Sequence, residues 1–103
     1  MKFLVISKLK FPLPPEAAPG LMDALAAWAE KYTASGKLEA VWANAGRPGG
    51  GGIVNVDSLE ELDAIMLESP IGPFSEIEIH PITHLNDSLQ RAKQAFQAMA
   101  GLG

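Results

Sequence analysis

The spacing of apolar residues changes several times along this 103-residue chain, and each change marks an element. Lys2 to Lys10 holds the run Phe3, Leu4, Val5 and Ile6, a β-favouring stretch that stops at Phe11-Pro12-Leu13-Pro14-Pro15, because proline cannot donate to a ladder. From Pro19 the period becomes helical. Leu21, Leu25, Trp28 and Tyr32 fall on one stripe flanked by Met22 and Ala29, with Pro19 suited to the first turn and Gly36 to a left-handed stop. Lys37 to Ala45 predicts a second strand, Gly46 to Gly52 a loop and Ile53 to Val56 a third strand, together a hairpin. Ser58-Leu59-Glu60-Glu61 is a capping box, after which Leu59, Leu62, Ile65 and Met66 line one helical face until Pro70 ends it. Ser75 to Ile82 alternates, with Ile77 and Ile79 on one face and Glu76, Glu78 and His80 on the other.

The order β-α-β-β-α-β predicts an α+β, ferredoxin-like sheet with both helices on one face. An additional C-terminal helix follows, in which Leu85, Leu89, Ala92, Phe96 and Met99 recur at alternating spacings of four and three, a heptad-like seam. The expected division is a domain over residues 1–83 and a helix over 84–103 that packs on the domain or on a dimer partner. Every strand supplies apolar residues to both faces: Phe3 and Val5 oppose Leu4 and Ile6, and Trp42 opposes Val41. The face without helices therefore needs cover, and a second copy packed across a twofold axis, forming a dimeric α+β barrel, is the expected solution. Pockets are expected between sheet and helices or between subunits.

Composition narrows the function. Twelve acidic against eight basic residues give a net charge of −4, and no Lys/Arg cluster is present to neutralise phosphates, so nucleic acid is not an expected partner. No apolar run approaches the ~20 residues of a membrane span, and Ser7, Lys8 and Lys10 interrupt the opening run too early for a signal peptide, which points to a cytoplasmic protein. The chain has no cysteine, excluding disulfides and thiolate metal sites.

Glu76, Glu78 and His80 sit on one strand face about 6 to 7 Å apart, within reach of one small substrate. Partly desolvated carboxylates there would act as general acid or base; the competing reading is a solvent-facing edge. His84 lies just beyond, but a proline and a change of element separate it from His80, so no metal site is expected. The glycines at positions 49–52 precede a strand and lack a following Gly-Lys-Ser/Thr, so they form a mobile tip or admit close backbone approach rather than cradling phosphate. Arg47 at the hairpin tip could pair with an anionic substrate, or be a solvated charge.

The stretch from Gly36 to Ile82 resembles the muconolactone isomerase family. The matching residues are Gly36-Lys37, Val41-Trp42, Gly46, Val54-Asn55-Val56-Asp57-Ser58 leading into Glu61-Leu62, and above all Ser69-Pro70-Ile71-Gly72-Pro73-Phe74-Ser75-Glu76-Ile77-Glu78-Ile79 with Pro81-Ile82. The resemblance implies a ferredoxin-like homodimer or higher homo-oligomer that moves a double bond within a small unsaturated lactone of aromatic catabolism, with no cofactor. It makes Glu76 and Glu78 the leading acid/base candidates; with His80 of the same strand face they are the catalytic candidates, and Trp42, Asn44, Arg47, Asn55 and Phe74 are the substrate-binding candidates. The family typically has arginine after the strand tryptophan, where Ala43 stands here, and tyrosine and asparagine near Gly50 and Gly51. The alternatives to an isomerase of small lactones or carbonyl compounds are a noncatalytic binding or assembly module and, by fold analogy, a cofactor-free monooxygenase.

Overall fold

The computed structural model describes residues 1–102. Its order is β1 (Lys2–Leu9), α1 (Ala18–Ala34), β2 (Leu38–Ala43), β3 (Gly50–Asn55), α2 (Leu59–Leu67), a 3₁₀ turn (Gly72–Phe74), β4 (Ser75–Ile82) and α3 (Leu85–Leu102). The four strands form one antiparallel sheet in the order β2-β3-β1-β4, the ferredoxin-like arrangement. Among the described residues, no helix is long and apolar enough to cross a membrane.

Local chemistry sets the element ends. Gly36 ends α1 at φ +79°, a left-handed conformation that costs glycine nothing. The Ser58 hydroxyl accepts from the Glu61 N–H at 3.1 Å, opening α2, while the Glu61 carboxylate reaches back to the Asp57 N–H at 3.4 Å, one residue before the cap. The β3 boundary departs from expectation. Gly50, Gly51 and Gly52 are strand residues, paired with Ser7, Ile6 and Val5 of β1 and with Ala43, Trp42 and Val41 of β2. Glycine is a poor strand former by propensity, and here two flanking ladders override it.

The core lies between sheet and helices. Phe3, Val5, Leu38, Val54 and Val56 pack against Leu62 and Ile65 of α2, with Trp28 and Tyr32 of α1 closing the edge. Polar contacts also tie helix α1 to α2 and the residue that follows it. The Trp28 indole donates to the Ile65 carbonyl at 3.0 Å, and Tyr32 and Lys31 both donate to the Glu68 carboxylate. Those hydrogen bonds hold the Glu68 carboxyl below its usual range, and raise Tyr32 and Lys31 above theirs. On the opposite side Lys37 bridges Glu61 at 2.7 Å and Asp57 at 3.5 Å, and the hydrogen bond to Glu61 raises its pKa.

Helix α3 stands away from this core. Leu85, Leu89, Phe96 and Met99 are 56–69% exposed. The molecule measures 66 × 27 × 23 Å with a radius of gyration of 18.0 Å, against ~13 Å for a compact chain of ~100 residues.

Candidate functional site

Strand alternation decides what each face of the sheet presents. Phe3 and Val5 point to the helices, and so therefore do Ser7 and Leu9 of β1 and their β4 partners Pro81, Ile79, Ile77 and Ser75. Beyond Val5 the helix-facing positions become small: Gly50 and Gly52 on β3, Ala43 on β2 and Ala29 on α1. The core stops there and a cavity of about 410 Å³ begins. Met22, Leu25 and Trp28 of α1 roof it, Met66, Ser69 and Ile71 close one side, and Asn44, Arg47 and Pro48 of the β2–β3 turn stand at the other.

The glycines contribute shape. Gly49 has φ +126°, and a Cβ there would meet the Ser7 carbonyl at 2.5 Å; one on Gly50 would meet the Trp42 carbonyl at 2.2 Å. Side chains at these positions would push the strands apart or fill the hollow. The turn is closed by the Asn44 N–H donating to the Gly49 carbonyl at 2.8 Å, which fixes where Arg47 stands.

The walls are hydrocarbon and backbone with a few hydroxyls. Ser69 is buried, and the Ser75 hydroxyl donates to the Ile71 carbonyl at 2.8 Å, leaving its lone pairs for a ligand. Arg47 is the one ionisable side chain among the described residues lining the cavity.

The expected site residues separate into two groups. Asn44 and Arg47 line the cavity, as does the Trp42 segment of β2, whose indole lies over Gly51 on the open face. Asn55 and Phe74 do not: Asn55 donates to the Glu39 carboxylate at 3.1 Å, while the Phe74 carbonyl accepts from Lys10 and Phe11 N–H groups and anchors the entry to β4. Glu76, Glu78 and His80 share a face as the alternation requires, and it is the open face, paired with Lys8, Ile6 and Leu4. There the Glu78 carboxylate lies 3.3 Å from the His80 imidazole, both about half exposed. The sheet stands between this trio and the cavity. Among the described residues no three His, Cys, Asp or Glu side chains are grouped to hold a metal ion.

Sequence reasoning missed Ser7, Ser69, Ser75, Ala29 and Ala43 as cavity residues. The available signal was register: with Phe3 and Val5 inward, Ser7 is also inward.

The model of the family described as muconolactone delta-isomerase matches residues 1–88. The chain belongs to that family. Two solved structures share the fold of this muconolactone delta-isomerase family member. One is a muconolactone isomerase determined at 3.3 Å, 24% identical, with a TM-score of 0.75 over 82% of this chain and 90% of that one. The other is a 5-chloro-2-hydroxyhydroquinone dehydrochlorinase from Burkholderia phenoliruptrix in complex with 2,5-dihydroxybenzoquinone, 17% identical, with a TM-score of 0.68 over 84% of this chain and 98% of that one. No curated protein matches the chain. The family region ends at residue 88, so most of α3 lies beyond it.

Proposed function

We propose that this family member binds a compact, oxygenated one-ring molecule in the cavity between helices and sheet. The carrying observation is the cavity itself: about 410 Å³, within the range of small-ligand sites, walled by hydrocarbon with Arg47 and Asn44 at its rim. Apolar walls favour a ring, the serine hydroxyls favour its oxygen substituents, and the Arg47 guanidinium favours a carboxylate or an ionised hydroxyl at the mouth. The two proteins of similar fold support this class, since one is a muconolactone isomerase and the other was determined with a dihydroxybenzoquinone.

The test is NMR titration of labelled protein with unsaturated lactones, cyclic enones and hydroxyquinones. Saturable shifts are expected at Ser7, Ala29 and Ser75, and Arg47→Ala should weaken acidic ligands about tenfold, the effect of losing one charged hydrogen bond. Titrations that leave those amides unmoved would sink the reading.

A second reading, an isomerase that moves a double bond by proton transfer without a cofactor, is favoured by the Glu78–His80 contact at 3.3 Å with Glu76 on the same face. A carboxylate that removes a proton conjugated to a carbonyl, beside an imidazole that returns one, is a sufficient pair for such a shift. The open face would then be the reaction surface, closed from water by a second copy of the chain. Solvent deuterium should enter the substrate in D₂O, and Glu78→Gln should slow this at least a hundredfold. Equal incorporation by the variant would remove Glu78 from the chemistry.

A further inference from the structure

We infer that the cavity selects its ligand by a protonated hydroxyl: the end formed by Ser69 and Ser75 takes a ring O–H and disfavours a bare carbonyl, which makes phenols and enols the ligand class. The inference rests on the cavity being a binding site and adds the functional group that its inner end recognises.

Ser69 is only 8% exposed, and its hydroxyl makes no hydrogen bond to any described residue. Its oxygen is nevertheless not sealed inside the protein, since among the described residues no fully buried side-chain oxygen or nitrogen lacks a partner. The open direction is the cavity, which Ser69 lines. The backbone fixes it there. The Ser69 N–H donates to the Met66 carbonyl and the Ser69 carbonyl accepts from the Gly72 N–H, each at 3.2 Å, and Pro70 restricts the residue before it. Both the proton and the lone pairs of this hydroxyl are therefore free for a ligand.

Ser75 is differently placed. Its hydroxyl donates to the Ile71 carbonyl at 2.8 Å, and the same carbonyl accepts from the Phe74 N–H at 3.0 Å. Both lone pairs of that carbonyl are filled and the Ser75 proton is committed, so Ser75 Oγ is left as an acceptor. It stands on the helix-facing side of β4, opposite Leu9, and lines the same cavity. A carbonyl oxygen brought against it would set lone pair against lone pair, or would have to take the proton away from Ile71. A ligand hydroxyl instead donates to Ser75 and accepts from Ser69, completing both.

The rest of the cavity sets the ligand's length. From β2 to β4 the sheet spans three strand steps, about 14 Å, with Asn44 and exposed Arg47 following β2 and Ser75 opening β4. One six-membered ring with an oxygen substituent at either end, and a hydrogen bond beyond each, covers that span. A hydroxyl para to a carboxylate is the simplest such molecule.

The test compares 4-hydroxybenzoate with 4-fluorobenzoate, which matches its size and its carboxylate but has no proton to give. Each is titrated into the labelled full chain and followed by NMR at the amides of residues 7, 29 and 75. The hydroxy acid should bind about tenfold more tightly. Ser75→Ala should bring the two acids level by weakening the hydroxy acid alone, Ser69→Ala should narrow the gap, and Ser75→Thr, which keeps a hydroxyl, should preserve it. An unchanged affinity for 4-fluorobenzoate in each variant shows that the cavity is intact. Equal affinities in the unaltered protein, or a preference that survives both alanine variants, overturn the inference and leave the cavity as a binding site. Amides that move with neither acid overturn both.

Discussion

Replacing Trp28 by phenylalanine tests how α1 is held over the cavity. At the end of α2 the Ser69 N–H closes on the Met66 carbonyl and the Glu68 N–H on the Ala64 carbonyl, leaving the Ile65 carbonyl among those with no partner from its own helix. The Trp28 indole fills that place at 3.0 Å, in a partly buried setting. Phenylalanine preserves a ring against Tyr32, which Trp28 meets edge-on at 5.8 Å, but it has no donor. A partly buried carbonyl left unpaired costs about 1–3 kcal/mol, and the smaller ring gives up about 1 kcal/mol of buried hydrocarbon. The sum is about 2–4 kcal/mol, which in a domain of this size lowers the melting temperature by roughly 10–20 °C. Urea unfolding followed by far-UV circular dichroism, at fixed protomer concentration so that association does not shift the midpoint, measures it. A loss below ~0.5 kcal/mol would show that α1 is held by something other than this hydrogen bond, and the account of the cavity roof would have to be rebuilt.

Other expectations follow from the same contacts. Ser58→Ala should cost about 1 kcal/mol by uncapping α2, whereas Ser58→Asp should be nearly neutral, both read from melting temperature. Because Glu68 titrates below its usual 4.5 in the folded protein, its contribution is present above that value and is lost as acid carries the pH below it. Tyr32 and Lys31 titrate above their usual 10.0 and 10.5, so their contribution is full below those values and is lost as the pH rises beyond them. Glu68→Gln should flatten both limbs of the stability–pH profile, and an unchanged profile would contradict the assignment. Gly51→Ala should destabilise the sheet, since the added methyl would meet the Trp42 ring at 2.6 Å and the Val5 carbonyl at 2.8 Å; a neutral melting curve would refute it.

The fold was written plainly in some segments and not in others. The alternation of Ser75 to Ile82 predicted β4 with the observed bounds, because an edge strand with one apolar and one charged side shows its period directly. The α2 cap was equally legible, being local chemistry between residues three apart. Gly50 to Gly52 read as loop, since a strand held by its neighbours leaves no trace in its own side chains. Alternation placed Glu76, Glu78 and His80 together but could not say on which side of the sheet, a matter of where α1 and α2 fold. The cavity was least legible. It is made by missing side chains at Ala29, Ala43, Gly50 and Gly52, from three separate elements, and absence has no periodicity.

The glycine strand also makes the sheet locally transparent. On one side Gly51 lies under the Trp42 indole, and on the other the Gly50 and Gly52 backbone is the cavity wall, so one peptide thickness separates a fluorophore from whatever occupies the hollow. In the Trp28→Phe protein, Trp42 is the sole remaining tryptophan. Its emission then becomes an internal gauge of cavity occupancy, needing no attached dye.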